Sequence, residues 1–261
     1  MKKTAILGID LQYDFTDVGG ALYVNGADKD IERIVAFIAN NKQNIDYIAL
    51  TLDSHQPIHI AHQCYWKNVH GNPPSLYTNI RYKDVVDGIW IPQYNKDRAE
   101  IYLKTLEING GVCTIWPMHC ILGSIGWTIN QTLLDYLIGW SIETNHSYEL
   151  FYKGYNQSTE HYSIFRAAVE WEDSPETHLN LQLLDILNRY NEVILVGEAA
   201  DYCVASSLND IVIERPELAK KIIVLTDCMS WITDENPMAV AIYENAKRNG
   251  VRFQISTEYS I

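Results

Sequence analysis

The sequence predicts a three-layer α/β fold, a six-stranded parallel sheet with helices on both faces. Three observations predict it. Short apolar runs alternate with segments whose apolar residues recur at helical spacing. The runs are near-continuously apolar, as strands buried on both faces must be. The 261 residues are 47% hydrophobic and 20% charged, an ordinary globular composition with a sizeable core and no repeat or low-complexity linker.

The elements follow in order. Residues 4–9 (TAILGI) form an apolar run ended by Asp10, a first buried strand. Residues 28–42 carry Ile31, Ile34, Val35, Phe37 and Ile38 at helical spacing. A second strand, 46–52 (DYIALTL), ends at Asp53; residues 127–139 read as a helix and 148–153 (YELFYK) as a third strand. Ser174 and Pro175 suit the cap and first turn of a helix bearing Leu179, Leu183, Ile186 and Leu187. Strand 193–197 (VILVG) leads into a helix after Asp201 with Val204, Leu208, Ile211 and Val212 on one stripe. Strand 222–226, helix 237–248 and strand 251–255 complete an alternation that calls for a parallel sheet. Residues 56–125 break the rhythm and hold five of the eight prolines. They read as a long loop excursion over the carboxyl ends of the strands, within a single domain spanning 1–261.

Charge and cysteine usage narrow the partners. Twenty Lys and Arg against 33 Asp and Glu give a net charge of −13, which repels phosphate backbones and anionic membranes and argues against nucleic acid. No apolar run approaches the ~20 residues that span a bilayer. The start, MKKTAILGIDLQYDF, opens like a signal peptide but places Asp10 and Asp14 where the apolar segment would continue. Five scattered cysteines, Cys64, Cys113, Cys120, Cys203 and Cys228, suit a reducing, cytoplasmic setting better than a disulfide scaffold.

In open parallel sheets, ligands bind beyond the carboxyl ends of the strands. Three strands end there in a reactive group, Asp10, Asp53 or Lys153, and a fourth leads through a short turn to Cys203 at a helix start. Alone, each has a bland explanation: a turn cap, an Asx turn, an exposed strand end, a small buried hydrophobe. Their coincidence at one edge favours a site. A thiol at a helix N-terminus beside a lysine is expected to have a lowered pKa. An aspartate can take its proton and return it to a leaving amine. Backbone amides in the turn GEAADYC can hold a developing oxyanion. A second cluster, TLDSHQPIHIAH (51–62), sets Asp53 and His55 on one side of extended chain with His59 and His62 beyond, donors suited to zinc or iron. His119 in IWPMHC is a third candidate that only the fold could bring there.

Five stretches together resemble the isochorismatase-like cysteine hydrolases, most of all the nicotinamidases. They are ILGIDLQYDFTDVGGAL (6–22), TLDSHQPIH (51–59), WPMHC (116–120), YKG (152–154) and VGEAADYCVAS (196–206), in the family's order. The resemblance implies a Rossmann-like six-stranded sheet and an amide hydrolase with a catalytic triad of Asp10, Lys153 and Cys203 working through a thioester. It implies an oxyanion hole from the amides of Ala199 and Cys203, after a cis peptide between Glu198 and Ala199. It implies Phe15 and Trp116 flanking a nicotinamide ring. It further implies one divalent metal on Asp53, His55 and His119, zinc first and iron or manganese next, with His59 either a ligand or an orienting neighbour. The partner would be a small-molecule amide, with monomer and homo-oligomer both open. The chain departs from the family's habit at Ala200, where threonine is usual, at Glu198, where an aliphatic residue is usual, and in STEHYSIF (158–165). A cysteine hydrolase for a different small amide and a catalytically silent binding protein on the same fold therefore stand as alternatives.

Overall fold

The computed structural model describes residues 2–233 and 236–261; Met1 and residues 234–235 lie outside it. Six parallel strands, β1 (Thr4–Ile9), β2 (Tyr47–Asp53), β3 (Tyr148–Lys153), β4 (Glu192–Gly197), β5 (Ile222–Leu225) and β6 (Arg252–Gln254), form one sheet. Their order is β6-β5-β4-β1-β2-β3. Every residue of β1, β2, β4 and β5 is buried, which is why these runs are apolar throughout. Side chains alternate between faces. Ala5, Leu7 and Ile9 pack with α4 (Leu181–Leu187), α5 (Ala205–Glu214) and α6 (Pro237–Arg248). Ile6, Ile48 and Leu50 pack with α1 (Ala27–Asn41) and α3 (Gln131–Thr144) on the other face. The three layers expected from the sequence are present.

The strand order reverses between β1 and β4, and at such a reversal the two chains leave the sheet in opposite directions and open a crevice. The crevice is tight at its base. Gly197, at φ +128°, is glycine because a Cβ there would sit 2.1 Å from the carbonyl oxygen of Ile9.

Three expectations change in detail. The helix placed at 127–139 runs over Gln131–Thr144, because the Asn130 side chain accepts from Thr132 N and fixes its start. Pro175 does not open α4: Pro175–Thr177 is one 3₁₀ turn, tied to residues 167 and 171 through Thr177, and Asn180 caps α4 by accepting from Leu183 N. The 56–125 segment is not mere loop. It holds α2 (Lys96–Ile108), a short helix Tyr82–Val86 and two small antiparallel ribbons. Trp66, Tyr102, Leu103 and Ile115 are fully or almost fully buried in a satellite core of their own, completed by Val169 and Trp171 from a later part of the chain.

Candidate active site

The crevice brings Asp10, Lys153 and Cys203 together. Asp10 leaves β1 with a left-handed φ of 47°, a costly conformation for a non-glycine residue. Thr51 holds it, accepting from Asp10 N at 2.9 Å and donating its hydroxyl to Oδ1. Lys153 ends β3, two strands away, or about 10 Å across the sheet. Only a long side chain covers that distance, and it runs past Asp53, its register partner on β2. Its Nζ lies 2.9 Å from Asp10 Oδ2, 3.2 Å from Asp53 Oδ1 and 3.6 Å from Cys203 Sγ, and donates to the His161 carbonyl at 2.9 Å. The lysine is fully buried rather than an exposed strand end. Gly154, at φ +85°, follows because a Cβ there would strike Asp53 Oδ1 at 2.3 Å.

The electrostatics overturn one expectation. Burial pushes the Cys203 thiol well above the usual thiol range; Lys153 pulls it back, and the Asp10 and Asp53 carboxylates add to the rise. The thiol is therefore neutral at rest, with the Asp10 and Asp53 carboxylates close enough to raise it. Burial also raises Asp10, against the Lys153 ammonium, which suits a group that must accept a proton. Burial opposes the charge on Lys153, but Asp10 and Asp53 outweigh it and hold the ammonium well above its ordinary value.

Cys203 belongs to a wide π turn, Ala200–Val204, that runs directly into α5. Tyr202 N and Val204 N both donate to the Ala199 carbonyl at 3.1 Å, and Ala200 N donates to Ser230 O at 2.8 Å. The Ala199 amide has no acceptor among the described residues. The Glu198–Ala199 peptide is cis.

The fold also brings His119 to Asp53 and His55. Residues 120–122 run alongside His55: His55 N donates to Cys120 O at 3.0 Å and Leu122 N to His55 O at 3.1 Å. Asp53 Oδ2 is then 3.0 Å from His55 Nε2 and 3.6 Å from His119 Nε2. The rings are oriented from behind. Nδ1 of His55, His119 and His62 faces the carbonyls of Gly154, Pro117 and Pro57, so in the neutral ring the proton sits there and the Nε2 lone pair points inward. His55 Nε2 is buried with no hydrogen-bond donor among the described residues. That donor set, one carboxylate and two imidazole lone pairs aimed inward, fits a divalent transition metal. His59 differs. Its Nε2 donates to Thr159 O and its Nδ1 accepts from Ala61 N, so hydrogen bonds engage both nitrogens and the ring braces His55 from 4.4 Å. Glu160 stands beside these two and forms a second close donor group with them. Burial together with its imidazole neighbours holds His59 well below its ordinary range, and burial takes His62 down to about 3. Burial lowers His55 too, but the Asp53 carboxylate outweighs it and holds that imidazole at about 9, so Nε2 carries a proton towards Asp53 that a metal binding there would displace.

Between the two clusters lies a cavity of about 320 Å³ including its open mouth. Asp53, His119 and Glu160 line it, as do Ala199 and Cys203, and Phe15 and Trp116 supply aromatic wall. Phe15 meets the His119 ring edge-on at 5.3 Å, and the Trp116 indole packs against Tyr202 at 5.1 Å and donates to Tyr162 Oη. Sequence reasoning missed Tyr162, Tyr202 and Glu160 on this wall. The signal was their position: Glu160 and Tyr162 fall in the loop that follows Lys153, and Tyr202 precedes Cys203.

No protein-family model matches the chain, and neither does any curated protein. Solved structures do match. A nicotinamidase and pyrazinamidase of Acinetobacter baumanii superposes with a TM-score of 0.65 at 23% identity, covering 99% of this chain and 98% of its own. A pyrazinamidase of Pyrococcus horikoshii in complex with zinc gives 0.55 at 20%, over 97% and 98%. N-carbamoylsarcosine amidase from Thermoplasma acidophilum gives 0.51 at 17%, over 99% of both chains. The chain has the fold of the isochorismatase-like cysteine hydrolases.

Proposed function

We propose that this protein is an amide hydrolase that works through a thioester on Cys203, and that its substrate is nicotinamide, cleaved with water to nicotinate and ammonia. The observation that carries the reading is one buried ammonium, Lys153 Nζ, within 3.6 Å of both Asp10 and Cys203, with Cys203 lining a small aromatic cavity. Solved structures of the same fold bear the names of amidases. Asp10 takes the thiol proton as Cys203 Sγ attacks the amide carbon, and Lys153 stabilises the thiolate as it forms. The amides of Ala199 and Cys203 receive the carbonyl oxygen as it gains charge. Asp10 returns its proton to the departing nitrogen, ammonia leaves, and an acyl thioester remains. Asp10 then draws a proton from water, whose oxygen attacks the thioester; the acid is released and the thiol restored. Phe15 and Trp116 hold the ring. Asp53, His55 and His119 would hold a divalent metal, zinc first, with His59 orienting His55 from behind. When bound, that ion supplies a Lewis acid that fixes the ring and the water near it. The chain is assigned to a reducing, cytoplasmic setting and to salvage of nicotinamide for NAD; no helix among the described residues is long and apolar enough to cross a membrane.

A second reading, a different small amide, is favoured by Glu160, whose buried Oε2 has no donor among the described residues although the residue lines the cavity. A substrate bearing a hydrogen-bond donor or a positive charge would satisfy it. Ammonia release measured over nicotinamide, pyrazinamide and small aliphatic amides decides between the two. Cys203→Ala is expected to abolish turnover on the best substrate with the melting curve intact, and mass spectrometry of quenched wild type to find the acyl group on Cys203. An alanine variant that keeps most of the activity overturns the mechanism.

A further inference from the structure

The turn that presents the Ala199 amide is braced from behind by buried acid groups that the chemistry above does not use. Glu198 is fully buried, and Asp30, in the first turn of α1, nearly so. Glu198 Oε2 accepts from Ser230 N at 3.0 Å. The Ser230 hydroxyl donates to Asp30 Oδ2, Arg33 pairs with Asp30 Oδ1, and the Ser230 carbonyl accepts from Ala200 N at 2.8 Å. One serine thus ties the peptide on either side of Ala199 to the start of a helix. Written as a carboxylate, Glu198 leaves Oε1 buried with no donor among the described residues and sets two negative groups against each other. Written as a carboxylic acid, it can donate Oε1–H towards the neighbouring Asp30 carboxylate.

We propose that Glu198, tied through Ser230 to Asp30, is a positioning residue for the Ala199 amide, so that it governs how well the site receives charge on the carbonyl oxygen rather than how well it binds substrate. This rests on the amide-hydrolase reading above. Two features besides geometry agree. Burial, and then the Asp30 charge, push Glu198 well above the usual carboxyl range, which favours the acid form. An unbraced peptide here would let the amide drift, and misplacement by 1 Å is enough to cost ~100-fold in rate.

The test compares Glu198→Leu with Glu198→Gln. Gln keeps both contacts of the neutral acid, accepting from Ser230 N and donating to Asp30; Leu keeps neither. On the best amide found above, Glu198→Leu is expected to lose about 10-fold or more in kcat with KM within about twofold. It is also expected to bind a ring aldehyde, which adds to the thiol and places an oxyanion beside Ala199, about 10-fold more weakly while binding the acid product as wild type does. Glu198→Gln restores kcat and aldehyde affinity to within about threefold of wild type. A folded Leu variant with unchanged kcat overturns the proposal, as does a loss confined to KM. Should the Leu variant not fold, Gln decides alone: retention of kcat supports the neutral brace, and a kcat below a tenth of wild type overturns it. A wild type that hydrolyses no amide and does not bind the aldehyde overturns the functional reading and this inference with it, whereas an active wild type beside an unaffected Leu variant overturns this inference alone.

Discussion

Replacing Lys153 with methionine tests the centre of the site, because it deletes one charge while nearly preserving side-chain length and volume. The ammonium lies 2.9 Å from Asp10 and 3.2 Å from Asp53, all three buried. Removing one partner of a buried pair costs about 3–5 kcal/mol, since the charge left behind has neither water nor a counter-ion. Here the loss is partly offset: Asp10, already raised by burial, takes up a proton instead of remaining charged. A stability loss of about 2–4 kcal/mol follows, lowering Tm by roughly 5–15 °C in a chain of this size. The catalytic effect is larger because a protonated Asp10 cannot accept the thiol proton. General-base loss alone is worth ~10²–10⁴ in kcat. The thiolate also loses the positive charge of Lys153, 3.6 Å away, so alkylation of Cys203 by iodoacetamide at pH 7 slows. Lys153→Arg does not rescue, because a planar guanidinium does not fit the space of a compact ammonium held by four groups. Ammonia release, alkylation rate and a thermal melt measure the three effects. Wild-type kcat and alkylation in Lys153→Met would refute the argument that this lysine tunes the thiol.

Other consequences are open to direct measurement. His55→Ala and His119→Ala are each expected to reduce the bound divalent metal to well below one per chain by elemental analysis, with KM raised or activity lost and the circular dichroism unchanged; untagged protein fully active in chelator contradicts the assignment. His161 is buried, and desolvation lowers its imidazole to about 3, against an ordinary value of 6.5. Its neutral form therefore contributes stability that is complete above pH 6.5 and is lost as pH falls toward 3, with a slope of up to ~1.4 kcal/mol per pH unit. Urea denaturation of His161→Gln between pH 6.5 and 4 should show a shallower slope than wild type, and an identical slope contradicts the assignment. Leu103→Ala, which opens a hole in the satellite core, is expected to cost about 2–5 kcal/mol and to speed hydrogen exchange over residues 60–115 before the central sheet is affected.

How much of this was readable in the chain depends on the range over which each signal acts. The strands were legible because burial on both faces writes itself into consecutive residues, as in TAILGI and VILVG. Asp10, Asp53 and Lys153 were legible because each stands at the end of such a run. By contrast, α2 was not, since its buried residues Ala99, Tyr102, Leu103 and Leu106 are interleaved with charges and its start, Asn95, takes a left-handed turn rather than a capped one. Nor could spacing bring His119 to Asp53; that required residues 120–122 to lie along His55, more than sixty positions away. The thiol is the sharpest case, because local and tertiary effects oppose each other there. A helix N-terminus favours the thiolate by about 0.3–2 kcal/mol. Full burial disfavours it by up to 3–5 pKa units, at about 1.4 kcal/mol each. Burial wins, and Cys203 rests as a neutral thiol. A neutral thiol cannot attack until something takes its proton, so the reactivity proposed for Cys203 depends on a carboxylate that the sequence separates from it by most of the chain. The reversal of strand order between β1 and β4 closes that separation, setting Asp10 and the Cys203 turn on adjacent strand ends.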